Sequence, residues 1–326
     1  MKPKSLQSIG ENLLPAIAYG DALGLPVEKK TREEIKALYG EIRALEDITS
    51  NPFLGEYPAG TTSDDTQLTV VCAESIIKRG EISIGDIAER HVVAMGESDL
   101  GWGGSTRNSM KRLAEGVDFR ESGEPEGKGN GVLMKMAPLS FLIHKDYGRS
   151  GDPSRGLELF TRMTHDNDLS VVVTLTHNDV CEGLMSDRLA PQEVPEFAAF
   201  TARRFERRYA GAADVVSGML GRLAALDSID ADAIIELTPK GGFYAPETLV
   251  MAYGSFAVSA VFPESAFAAV NLGGDADSVA SIVSAMSIMH EPNVEWPEDI
   301  ERVKDIDMLR RLSKRLTSYT PSQWRR

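Results

Sequence analysis

Ser63-Asp64-Asp65-Thr66 sets two adjacent carboxylates between two hydroxyls, directly ahead of an apolar run of helical period. Inside a helix, neighbours point about 100° apart, so two adjacent acids share no face. At a helix start the backbone is only half helical, and both can turn toward one point. Two close carboxylates repel, and a proton or a hard cation such as Mg²⁺ relieves that repulsion. A simpler reading stands beside this one: Ser or Asp at such a position caps the helix. The same grammar returns at Asn271-Leu272-Gly273-Gly274-Asp275-Ala276-Asp277-Ser278. If the fold joins the two stretches, four carboxylates and two hydroxyls surround one spot, and one or two divalent ions would answer that charge.

The 326 residues are 42% hydrophobic and 26% charged, enough for one large core, and no linker divides them. One domain over 1–326 is expected. A net charge of −14 argues against a nucleic-acid surface. Two cysteines form no disulfide framework, and no apolar run is long enough to span a membrane. A cytoplasmic chain without membrane or nucleic-acid partners is the expectation.

Leu13, Leu14, Ile17 and Ala18 give residues 7–19 a helical stripe. Gly20 to Glu28 reads as a tight loop, broken by Gly20, Gly24 and Pro26, whose glycines permit close backbone approach. Thr31–Leu45 is a second helix, opened by a Thr31/Glu34 capping box. Residues 46–62 are irregular. The helix after Asp65 stops at Gly80, and Cys72 lies on its apolar stripe, as a core residue. Ser83–Ala94 is amphipathic. Asp99 to Thr106 is glycine-rich and either lines a pocket or forms a turn plugged by Trp102. Gly127 to Gly131 is another glycine loop, without a P-loop or Rossmann signature, and leads into an apolar helix at Val132–Ile143. Lys135 on that helix reads as a solvated charge.

Thr164-His165-Asp166-Asn167 caps a helix at Leu169–Leu175, and no histidine spacing suggests a metal site. Arg203, Arg204, Arg207 and Arg208 read as a solvated helix face. Helices are expected within 192–225, over 247–262, after Ser278 and over Glu301–Leu316. Tyr244 sits at a glycine hinge, where it could stack on a base or fill core. No alternating strand pattern occurs.

In order, Gly20-Asp21-Ala22-Leu23-Gly24…Glu28, Ser63-Asp64-Asp65-Thr66, Asp99-Leu100-Gly101, Gly129-Asn130-Gly131…Met134…Ala137-Pro138, Thr164-His165, Tyr244 and Gly274-Asp275-Ala276-Asp277-Ser278 resemble the ADP-ribosylglycohydrolase family. The motifs span residues 20 to 278. The resemblance implies an all-α fold, a compact orthogonal helical bundle with a central dinuclear cleft. It implies two divalent cations, Mg²⁺ or Mn²⁺, held by Ser63, Asp64, Asp65, Asp275, Asp277 and Ser278. Glu28, with Asp64 and Asp65, would be catalytic. Asp99 would approach the ribose, Gly129, Asn130 and Gly131 the pyrophosphate, and His165 and Tyr244 the rest of ADP-ribose. The family usually carries Thr where Ser63 stands, and the loop after Asp99 is two residues longer than its common form.

The implied activity is hydrolysis of the C1″ glycosidic bond of an ADP-ribosylated protein, with arginine as the modified side chain and ADP-ribose as product. The rival readings are hydrolysis of ADP-ribosylserine or O-acetyl-ADP-ribose, another Mg²⁺-dependent hydrolase such as a phosphoesterase, and a non-catalytic ADP-ribose-binding module.

Overall fold

The computed structural model describes residues 4–49, 51, 54–98, 100–146 and 153–319. Among them there are helices and no strands, in agreement with the all-α expectation. In chain order the helices are α1 Leu6–Gly24, α2 Arg32–Tyr39, α3 Asp64–Arg79, α4 Ile84–Glu97 and α5 Gly104–Ala114. Then come α6 Ala137–Lys145, α7 Ser154–Arg162, α8 Asp168–Met185, α9 Val194–Glu206 and α10 Val215–Ala224. The last are α11 Ala231–Leu237, α12 Ala245–Val258, α13 Glu264–Val270, α14 Ala276–His290 and α15 Ile306–Ser318. None of the helices is long and apolar enough to cross a membrane.

Two helices form the axis. α1 packs along α14 and also against α15, and nearly every residue of α1 after Gly10, and of α14, is buried. Small residues make the approach possible. A Cβ on Gly20 would lie 2.5 Å from the Ala280 carbonyl oxygen, and one on Gly24 would lie 2.4 Å from the Asp277 amide nitrogen. The Gly20–Gly24 segment is therefore helix and not the expected loop. Its glycines remove side chains from a contact face; they do not break the backbone. Only Leu25–Val27 tightens to a 3₁₀ turn, and it delivers Glu28.

Elsewhere the local signals translate directly. Thr31 and Glu34 cap α2 reciprocally, at 2.7 and 3.2 Å. α2 ends at Tyr39, well short of Leu45, because Gly40 turns the chain with φ 74°. Gly80, in the left-handed region at φ 69°, ends α3. Cys72 and Cys181 are free and buried. The expected helix over Val132–Ile143 is instead a 3₁₀ turn, Leu133–Lys135, followed by α6. The start at Asn130 and Gly131 leaves no regular helical turn before Pro138, which suits the first turn of α6.

Candidate active site

The start of α3 and the start of α14 face each other. Ser63 accepts a hydrogen bond from the Asp65 amide at 3.2 Å, so the capping role exists. It does not exhaust the acids. Ser278 Oγ, from the first turn of α14, donates to Asp65 Oδ2 at 3.1 Å, and Ser63 Oγ lies 3.4 Å from the same oxygen. The two acidic stretches thus meet in space.

A cleft of about 360 Å³ opens over them. Glu28, Asp64, Asp65, Asp275, Asp277 and Ser278 line it, with Gly129, Asn130, Gly131 and His165. Asn130 donates to Asp275 Oδ2 at 2.7 Å and fixes the glycine loop to the acids. His165 is buried, with Nδ1 2.9 Å from Thr164 Oγ1, and its ring edge lies against Gly131. Burial and the charge of Lys135 lower His165 to about 3, so it offers a neutral imidazole. Tyr244 does not line the cleft; its neighbour Phe243 does. The Tyr244 ring instead packs on core residues with Lys240 Nζ 4.2 Å above it. Asp99 lies outside the described residues, while Gly101 to Thr106 line the cleft wall.

Two further residues belong to the site. Asp21, on α1, is wholly buried beneath the cluster. It accepts from the Ser63 amide at 2.9 and 3.0 Å, the Thr66 amide at 3.1 Å and the Thr66 hydroxyl at 2.5 Å. One carboxylate thereby sets the entry of α3. Its sequence signal is its place inside the Gly20–Gly24 motif, between the glycines that set the close approach of α1 to α14. Lys135 is corrected outright. It has no exposure, its Nζ has no hydrogen-bond partner among the described residues, and that atom sits 5.7 Å from the Phe160 ring centroid. Burial lowers it to about 8, against the attraction of Cys72 and Asp64. Trp102 is buried and donates to Gln67 at 2.8 Å, so the plug and the cleft lining are the same residue.

Electrostatics show how much charge is confined. Burial pushes Asp21 up to about 6, and burial with the Glu28 charge does the same for Asp275. Asp64, Asp65 and Asp277 lie well above the carboxylate range, through burial first and mutual repulsion second. The first turns of α3 and α14 offset part of this through their helix dipoles.

Divalent cations fit this set. Glu28 Oε2, Asp65 Oδ1 and Asp277 Oδ1 are buried without a hydrogen-bond partner among the described residues. Buried anionic oxygens are rarely left so, and hard cations take oxygen donors. Among the described residues no three His, Cys, Asp or Glu groups already stand at the spacing of a closed coordination shell. The fit is therefore one of donor chemistry, and the carboxylates would have to close in.

A model of the ADP-ribosylglycohydrolase family matches residues 12–323. An uncharacterized protein of Archaeoglobus fulgidus is 30% identical over 94% of both chains. The ADP-ribosyl-[dinitrogen reductase] glycohydrolase of Rhodospirillum rubrum is 28% identical over 53% of this chain and 56% of its own. The ADP-ribosylarginine hydrolase Tri1 of Pseudomonas putida is 23% identical over 98% of this chain and 84% of its own. A solved ADP-ribosylglycohydrolase-related protein complex shares the fold, with a TM-score of 0.73 at 23% identity over 97% of this chain and 99% of that one. The glycine-lined contact of α1 with α14, which carries the acids to one cleft, is thus found in a chain that belongs to the ADP-ribosylglycohydrolase family.

Proposed function

We propose that this protein is a divalent-cation-dependent hydrolase that releases ADP-ribose from a modified protein side chain, with arginine as that side chain. The observation that carries the reading is the convergence of Asp64 and Asp65 with Asp275 and Asp277 on one cleft, beside Glu28. The arginine assignment leans on the printed activity of the relative from Pseudomonas putida, named ADP-ribosylarginine hydrolase.

Ser63, Asp64, Asp65, Asp275, Asp277 and Ser278 would hold two ions, Mg²⁺ or Mn²⁺. Bound ions would supply Lewis acidity to the ribose hydroxyls and the attacking water. The protein's own groups do the rest. Positive charge grows at ribose C1″ as the bond to the guanidine nitrogen breaks, and the ring of carboxylates stabilises it. A carboxylate of Glu28, Asp64 or Asp65 takes a proton from water as its oxygen joins C1″ and the C1″–N bond breaks, and that same proton is passed on to the departing guanidine nitrogen. The amides of Gly129 to Gly131 suit pyrophosphate oxygens, and neutral His165 can hydrogen-bond without trapping the product by charge.

Incubation with ADP-ribosylated arginine, ADP-ribosylated serine and O-acetyl-ADP-ribose, with and without chelator, tests the proposal. Free ADP-ribose from the arginine substrate, lost with chelator and in Asp64→Ala/Asp65→Ala, is the expected result. AMP as product, or release at the wild-type rate by that variant, would overturn it.

A further inference from the structure

A second hollow, of about 370 Å³, adjoins the acidic cleft, and Lys29 and Phe243 line both. Its charge is opposite. Among the described residues Lys29, Lys30, Arg32 and Lys240 line it with one lining carboxylate, Glu33, while Glu28 and Asp232 pair with Lys29 and Arg32 from its edges. The chain as a whole carries −14, and the cleft next door gathers five carboxylates, so four cations here are a local reversal. Beneath them lie apolar surfaces of Leu272 and Phe243, the latter 38% exposed.

The hollow is also preformed. Three loops that build it are joined through their backbones. The Lys29 amide donates to the Gly274 carbonyl at 2.7 Å, the Gly274 amide to Lys30 at 2.8 Å, and the Asp275 amide to Gly241 at 2.7 Å. A Cβ on Gly274 would lie 2.1 Å from the Gly241 carbonyl oxygen, so the loops have no room to shift past one another. Arg32 is the cation most open to exchange: it bonds to Asp232, whose side chain is 90% exposed, and such surface pairs exchange at little cost. Lys29 is tied to Glu28 at 3.4 Å, on the side of the acidic cleft.

We propose that this basic hollow docks an acidic segment of the target protein next to the modified residue, while the ADP-ribosyl group occupies the cleft. The inference rests on the hydrolase reading above. Charge complementarity selects the segment, the shared wall at Lys29 and Phe243 makes one continuous path, and a rigid basic surface would act on KM more than on kcat.

The test uses the charge-reversed variant Lys30→Glu/Arg32→Glu, since neither residue lines the acidic cleft. Three substrates are compared: free ADP-ribosylarginine, and the same modified arginine in two peptides of equal length, one flanked by Asp and Glu and one by Ser and Gly. Wild type should use the acidic peptide about tenfold better than the neutral one, through KM, and raised salt should erase the difference. The variant should lose that preference and keep its rate on free ADP-ribosylarginine. Equal use of both peptides by wild type overturns the proposal. So does an equal loss on all three substrates by the variant, which would place ADP-ribose itself in the hollow. Lys30→Gln/Arg32→Gln, read the same way, guards against misfolding of the charge reversal. If wild type cleaves none of the three, the hydrolase reading fails separately. Docking is then read by fluorescence anisotropy of the unmodified acidic peptide: salt-sensitive binding lost in the variant supports it, and no binding ends it.

Discussion

The Ser278 hydroxyl donates to Asp65 Oδ2 at 3.1 Å, across 213 positions of sequence. The bond clamps the first turn of α14 to the first turn of α3. It leaves Asp65 Oδ1 buried and unpartnered, facing a cleft that holds four further carboxylates. Replacing that charge has opposite consequences with and without cations. In chelator, Asp65→Asn should be more stable than wild type by about 1–2 kcal/mol, because one of several repelling charges is gone. With Mn²⁺ at a hundred times its dissociation constant, wild type should gain about 2.7 kcal/mol, and the variant much less. Calorimetric melts in both conditions decide it. A variant destabilised in chelator, with full protection by Mn²⁺, would remove Asp65 from the proposed cation ligands.

Asp21 and Asp275 are both held at about 6, by burial and, for Asp275, by the neighbouring Glu28 charge. An unfolded chain releases these protons near pH 3.8. Between those values the folded protein binds protons that the unfolded chain has lost. Their contribution is therefore complete below about pH 4 and declines as pH rises through about 6. In chelator, urea unfolding should show stability falling over pH 4 to 7. Mn²⁺ should flatten the slope, since cations replace the protons. A slope that is the same with and without Mn²⁺ would mean that the acids do not share a cation site.

The all-α architecture was legible in local patterns: a helical stripe, a cap, a breaker. The repeated grammar of Ser63–Thr66 and Asp275–Ser278 was legible too, but their meeting in space was a condition that only the resemblance implied. What the sequence hid depends on neighbours distant in sequence. Gly20 and Gly24 look like breakers in isolation, and only the face of α14 shows why side chains are missing there. Lys135 carries a charge that propensity assigns to solvent, yet the fold closes α3, α6 and α8 over it. Phe243 and Tyr244 are adjacent aromatics; Phe243 faces the cleft, while Tyr244, the residue before α12, packs against the core. α7, α11 and α13 are short helices without a long stripe, and they escaped for that reason.

Lys135 supplies a prediction of its own. The folded chain holds it at about 8, while an unfolded lysine titrates near 10.5. Between these values the unfolded chain retains a proton that the folded one has released, so this group's contribution becomes more favourable as pH rises. At pH 7 the fold carries a buried ammonium without a hydrogen bond. Lys135→Met keeps the length and removes the charge. It should stabilise the protein by about 2 kcal/mol at pH 7, with the gain gone by about pH 11. Urea unfolding in chelator at both pH values measures it. Loss of stability at pH 7 would show instead that attraction to Asp64 outweighs the burial of the charge.

Gly24 gives the sharpest contrast between local and distant causes. Glycine within a helix ordinarily costs about 0.5–1 kcal/mol relative to alanine, so Gly→Ala in α1 should help if only α1 mattered. Its φ of −83° is one that any residue adopts, so no backbone strain enters. A Cβ there, however, would stand 2.4 Å from the Asp277 amide nitrogen and 2.5 Å from the Ala276 carbonyl carbon and oxygen. These are backbone atoms, and no rotamer can clear them. Gly24→Ala should therefore destabilise by about 2–3 kcal/mol, in the range of overpacked cores. It should also push the start of α14 off α1, carrying Asp277 and Ser278 with it. Mn²⁺ affinity by calorimetry should then fall more than tenfold, even at temperatures where circular dichroism shows the helices intact. A Gly24→Ala protein as stable as wild type, with unchanged Mn²⁺ binding, would show that the α1–α14 contact does not position the acidic cleft.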